Sequence, residues 1–140
     1  MTKFTAAATL AAALLAGPAL AQDAGDAAKG EKVFNKCKSC HMVGPDAKAK
    51  VGPPLTGVVG RQVASVEDYK YGKSIKALGE TGLVWSEEEL FEYIADPKKY
   101  LRAKLDDKKA KSKMAYKLKK EDDRRDVIAY LKTFSEPATN

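Results

Sequence analysis

The chain has 140 residues, with 25 basic and 19 acidic side chains, a formal charge of +6, two cysteines and one histidine. That length suits one domain. The counts exclude a polytopic membrane protein, a disulfide-rich miniprotein and any site that needs several histidines. Beyond residue 21, Leu, Ile, Val and Phe supply 23 of 119 residues, about 19%, which is near the compositional border of disorder. Either the chain is loosely folded or something other than side chains fills its core.

Residues 1–21 read as a cleaved secretory signal peptide. Lys3 gives a positive start, Phe4 to Ala16 is an Ala/Leu run, Gly17-Pro18 breaks it, and Ala19-Leu20-Ala21 is a small-x-small cleavage site. The apolar run is too short to span a bilayer, which takes about 20 residues. Residues 22–140 are then one domain with a net charge of +5.

Asp26 can cap a helix that carries Gly30, Val33, Phe34 and Cys37 on one face. Residues 42–66 hold Gly44, Pro45, Gly52, Pro53, Pro54, Gly57 and Gly60 and predict an irregular loop. A short helix is expected around Ser74 to Leu78, with Gly79 as its stop. Ser86 with Glu89 forms a capping box, and Trp85 with Leu90 a hydrophobic staple. The helix behind them carries Leu90, Phe91, Tyr93 and Ile94. Asp96-Pro97 ends that helix and starts another, which carries Tyr100 and Leu101. The last helix opens with Glu121, Asp122 and Asp123, favourable against its dipole. It buries Val127, Ile128, Tyr130, Leu131 and Phe134. No segment alternates as a strand would. The fold class is all-α, with four to five short helices and long loops.

Cys37-Lys38-Ser39-Cys40-His41 carries the chemistry. C-x-x-C-H is the attachment signature of a c-type haem. Residues four apart share a helix face, so the two sulfurs can form thioethers while the imidazole reaches the iron from the same segment. Three other readings compete. A structural zinc needs four ligands, a thioredoxin-like pair expects a βαβ setting, and a plain disulfide leaves the histidine without a role. His41 is the sole histidine, so a sixth iron ligand must be of another type. Met1 leaves with the signal, and Met42 is too close to His41 in sequence to reach the other haem face. Met114 remains, with a loop anchor packed on the core as its alternative role. His/Met ligation raises the haem potential and leaves no open position.

With these residues in order, the chain resembles the class I cytochromes c, the branch of mitochondrial cytochrome c and bacterial cytochrome c2. The likeness runs over 26–134: Gly30 and Phe34, Cys37 to His41, Val51-Gly52-Pro53-Pro54-Leu55, Gly57 to Arg61, Trp85-Ser86, Asp96 to Tyr100, Lys113-Met114 and Ile128 to Lys132. The resemblance implies a small cytochrome c fold wrapped around one covalently bound haem c. It also implies that Pro53 accepts the second His41 N–H through its carbonyl, which raises ligand basicity. Arg61, Tyr71 and Trp85 match residues around the haem propionates, and Tyr93 matches the tyrosine near the ligand methionine. Gly30 and Tyr130 match the crossing of the first and last helices. Two departures stand out: Pro54 replaces the usual Asn, and residues around Leu105 to Lys108 form an insertion relative to the mitochondrial proteins.

Residues 98–120 carry ten lysines and Arg102 against Asp106 and Asp107, a local charge of +9. A basic collar beside Met114 would steer the protein to acidic docking sites, with Lys36, Lys38, Lys99, Lys111, Lys113 and Lys117 as docking residues. Nucleic acid is not an expected partner of an exported chain. The expectation is a monomeric periplasmic one-electron carrier, not an enzyme. The resemblance implies a cytochrome bc1 complex as donor and a photosynthetic reaction centre or terminal oxidase as acceptor. The alternative is a haem enzyme or gas sensor with an open sixth position.

Overall fold

Asp26 starts the first helix as its position predicts. In the computed structural model, which describes residues 24–135, its Oδ1 accepts from Ala28 N at 2.9 Å and Lys29 N at 3.1 Å. Residues 1–23, which include the expected signal peptide, and residues 136–140 lie outside the described residues. Helix α1 (Ala27–Phe34) is followed by α2 (Lys73–Glu80), α3 (Glu87–Ala95), α4 (Pro97–Lys104) and α5 (Glu121–Lys132). The helices are joined by loops, and the nearest approach to a strand among the described residues is one isolated bridge between Gln62 and Val84. The all-α expectation with four to five helices agrees with this architecture.

The termini of the described chain meet where α1 packs on α5. Gly30 makes that crossing possible, since a Cβ there would fall 1.9 Å from the Asp126 carbonyl oxygen and 2.8 Å from Tyr130 Cβ. No side chain larger than hydrogen fits that approach. Asp26 N donates to Asp126 Oδ1 at 2.7 Å and ties the same ends together. Phe34 and Tyr130 lie 5.5 Å apart between ring centroids, and Tyr130 and Phe134 5.2 Å apart. Tyr130 and Phe134 are half-buried rather than enclosed, because they form the outer edge of this stack.

Three local expectations change. Gly79 lies inside α2 instead of ending it, because the helix passes so close to the loop that a Cβ would meet Val63 O at 2.3 Å. The left-handed stop is Gly82, at φ +81°. Ser86 does accept from Glu89 N at 3.1 Å, but the Glu89 carboxylate does not reach back to complete a capping box. It takes Lys104 Nζ at 2.5 Å and the Tyr100 hydroxyl instead. The α1 helix also stops before Cys37, at Phe34.

Asp96 joins α3 to α4 in an extended conformation, and its Oδ1 caps Lys99 N at 3.0 Å. Pro97 follows at the first helical position, where its missing N–H costs nothing. The core that results contains Phe34, Val63, Leu78, Leu90, Leu101, Val127, Ile128 and Leu131, with Trp85, Tyr93 and Tyr100 as an aromatic group. Trp85 and Tyr93 centroids are 4.8 Å apart, and Tyr93 and Tyr100 5.4 Å in an edge-on pair. The core does not close: α3, α5 and the loops leave a cavity of about 460 Å³ between them, within the usual range for a small-molecule or cofactor site.

Candidate functional site

The Cys37–His41 segment is a single tight turn that continues α1 after the helix has ended. Cys40 N and His41 N both donate to Cys37 O, at 3.0 and 2.9 Å. The second bond has helical i,i+4 spacing, so Cys37 and His41 stay on one side although they are outside a regular helix. Both cysteines are half-buried, form no disulfide with each other, and line the cavity together with His41.

The imidazole is fixed from two sides. His41 Nδ1 lies 2.8 Å from Pro53 O. A carbonyl can only accept, so Nδ1 carries the proton and Nε2 keeps its lone pair. Burial lowers the His41 pKa, and the Pro53 hydrogen bond partly offsets this. Gly52 supplies the bed for the ring: a Cβ there would stand 2.3 Å from His41 Cε1 and 2.8 Å from Nε2. The pair Gly52-Pro53 therefore acts as a unit, the first residue making room and the second setting the tautomer.

Met114 reaches the same cavity from the loop between α4 and α5, half-buried against the core. Ser112 braces it. Met114 N donates to Ser112 Oγ at 3.1 Å, and that hydroxyl donates to Met114 O at 2.9 Å. The loop leading there is ordered by its own side chains: Asp107 Oδ1 accepts from Lys109 N at 2.8 Å, and Arg102 Nε donates to Ala110 O at 3.2 Å. Asp106 takes a left-handed φ of +47° at the turn, which Asp tolerates better than most residues. Met42, by contrast, is 37% exposed and does not line this cavity.

Arg61, Tyr71, Trp85 and Tyr93 all line the cavity, as does Pro53. Arg61 is half-buried and spends two donors on backbone, Nη1 to Thr56 O at 2.9 Å and Nη2 to Pro54 O at 3.0 Å. Among the described residues no carboxylate pairs with it. Burial lowers its pKa, and the remaining donors suit an anionic group. The Tyr71 hydroxyl accepts from Val66 N at 3.3 Å, and burial raises its pKa. Tyr93 is buried, and its pKa is raised for the same reason.

The residues present fit a c-type haem. Cys37 and Cys40 supply two thiols, His41 a free imidazole nitrogen, Met114 a soft thioether, and Arg61 a counter-charge for carboxylates. Gly52 removes the Cβ that would displace the imidazole.

Of the six expected docking lysines, Lys36, Lys111 and Lys113 line the cavity and Lys38, Lys99 and Lys117 do not. Lys36 pairs with Asp123 at 3.0 Å and Lys117 with Asp96 at 2.7 Å. Lys113 Nζ donates to Lys70 O and sits 5.7 Å from the Tyr69 ring. Sequence reasoning missed Tyr69, which lines the cavity and donates to Val51 O at 2.8 Å. It also missed Ser112. A serine two residues before Met114 is a recognisable turn signal, whereas Tyr69 carries none.

The Cytochrome c family model matches residues 27–135. The chain is 53% identical over 131 residues to a cytochrome c2 of Rhodobacter capsulatus, covering 89% of this chain and 92% of the relative. It is also 53% identical over 139 residues to a cytochrome c-550 of Paracoccus versutus, covering 94% and 88%. The solved cytochrome c2 of Rhodospirillum centenum superimposes with a TM-score of 0.77 at 47% identity, over 80% of this chain and all of that one.

Proposed function

The chain belongs to the cytochrome c family, an electron carrier with covalently attached haem c and not an enzyme; from that premise we propose that it is a soluble periplasmic one-electron shuttle in which His41 and Met114 ligate the haem iron. When bound, the haem supplies a ferrous/ferric couple that holds one electron. Cys37 and Cys40 would hold it through thioethers. Pro53 keeps the His41 proton on Nδ1, so Nε2 is presented to the cavity in one protonation state. Trp85, Tyr93, Leu90 and Ile128 exclude water from the walls, and Arg61 stands ready for a carboxylate. Residues held this firmly have little to rearrange when the charge of their guest changes.

The observation that carries the reading is that Met114 lines the same cavity as the Nε2-free imidazole of His41. A thioether there seals the site against exogenous ligands and favours electron transfer over oxygen or peroxide chemistry. The basic segment 98–120 supports docking on acidic surfaces. The donor is a cytochrome bc1 complex, and the acceptor a photosynthetic reaction centre or terminal oxidase. Stopped-flow reduction by the first and oxidation by each of the second tests this. Both second-order rates should fall steeply as salt rises. Flat salt dependence removes the basic docking surface. Ferrous protein that binds carbon monoxide readily at neutral pH removes the sealed site and favours a sensor or enzyme.

A further inference from the structure

The charged run at the start of α5 hides a residue that the electron-carrier reading does not use. Arg124 is 7% exposed, and no carboxylate pairs with it among the described residues. Its Nη1 donates to Leu118 O at 3.1 Å and to Lys119 O at 2.6 Å. Its guanidinium lies 4.1 Å from the centre of the Phe91 ring, and its Nε has no partner. Burying a cation costs several kcal/mol unless it is well satisfied, and an apolar side chain would fill the space at lower cost. Bulk stability therefore does not explain the choice of arginine. What it does hold is specific: the two carbonyls that end the Met114 loop.

That loop end is fastened from three directions. Leu118 N donates to Ile94 O at 2.8 Å, Lys117 pairs with Asp96, and Arg124 grips the carbonyls from α5. The first two attach the loop to α3 and its end; on the α5 side the chain itself enters the helix after Lys120, Lys120 pairs with Asp123 at 3.4 Å, and Arg124 is the side chain that holds the Leu118 and Lys119 carbonyls. Leu118 and Met114 line the same cavity, so slack at Leu118 is passed to the thioether four residues earlier. A planar, multiply donating guanidinium stacked on an aromatic ring fixes direction as well as distance. A lysine ammonium does not.

We propose that Arg124 is a positioning residue that clamps the end of the Met114 loop and so limits how often the thioether leaves the site. This rests on the reading of Met114 as an axial ligand. The test uses the ferric holoprotein with imidazole as the competing ligand, followed by loss of the near-infrared sulfur-to-iron band. Charge-assisted hydrogen bonds of this kind are each strong enough to change an opening equilibrium by about one to two powers of ten. Arg124→Lys, which keeps the charge but is shorter and loses the flat guanidinium stacked on Phe91, should raise the displacement rate about tenfold. Arg124→Met should raise it further; if it fails to fold, Arg124→Lys alone decides. Val33→Ala is the control for general destabilisation, since Val33 is buried in α1 and does not line the cavity. It should lower the melting temperature and leave the rate within about twofold. Amide exchange at Leu118 should accelerate in Arg124→Lys and not in Val33→Ala.

An unchanged rate in Arg124→Lys, or an equal rise in Val33→Ala, overturns the clamp while leaving Met114 as ligand. A wild-type protein that lacks the band overturns the Met114 assignment and the clamp with it.

Discussion

Withholding the haem should cost this chain its fold. The cavity that the haem would fill measures about 460 Å³. At about 24 cal/mol per Å³ of unfilled apolar volume, leaving it empty costs on the order of 11 kcal/mol. Part of the cavity wall opens to solvent, so water relieves some of that cost; even half of it, roughly 5 kcal/mol, equals the whole stability of a marginal domain. The aliphatic supply is thin besides, at 23 Leu, Ile, Val and Phe in 119 residues. The assay is circular dichroism and thermal melting of the chain from residue 22 onward, produced without haem attachment. The expected result is little helix and no cooperative transition. A compact apo form that melts cooperatively would refute the argument, because the side chains alone would then be closing the core.

Three further predictions concern single groups. Gly30→Ala gains about 1 kcal/mol of helix propensity, but its Cβ meets Asp126 O at 1.9 Å; overpacking should win by about 2 kcal/mol or more and lower the melting temperature by roughly 10 °C, whereas an unchanged or higher value would mean that α1 and α5 can separate freely. Gly52→Ala should push the imidazole off its bed and weaken the His41–Pro53 hydrogen bond, which lowers ligand basicity and raises the reduction potential; an unaltered potential in redox titration would contradict this. Asp123 and Asp96 are held below their ordinary pKa by hydrogen bonds from Lys36 and Lys117. Depressed carboxylates stabilise above the unfolded pKa and lose that contribution as pH falls through the folded value. Denaturant melts should thus show this stability intact above about pH 4 and declining below, with a shallower acid limb in Asp123→Asn.

Much of the candidate site's composition was legible because its chemistry is local, and the expected residues do line one cavity. Cys37, Cys40 and His41 lie within five consecutive residues, and Met114 emerges once the other methionines are set aside. The helix starts at Asp26, Ser86 and Asp96 were equally readable, since a cap depends on a side chain and an amide two or three residues away. What sequence could not show is what depends on distant backbone. Gly79 looks like a helix stop, but the nearness of Val63 O decides its role. Arg124 stands among five charged neighbours and looks solvated, yet it is buried under Phe91. Lys36 and Lys117 look like free docking charges, and only the fold brings Asp123 and Asp96 to them.

On this account the haem would supply the apolar bulk that the thin core lacks, and the +9 segment includes the loop that carries Met114. The central claim is that His41 and Met114 together ligate the haem iron. The most direct measurement is the near-infrared sulfur-to-iron band of the ferric protein, recorded for wild type and Met114→Ala alongside the intact mass. The account predicts the band in wild type, its loss in the variant, and a covalent haem adduct in both. A band that survives Met114→Ala, or one absent from wild type, would contradict it.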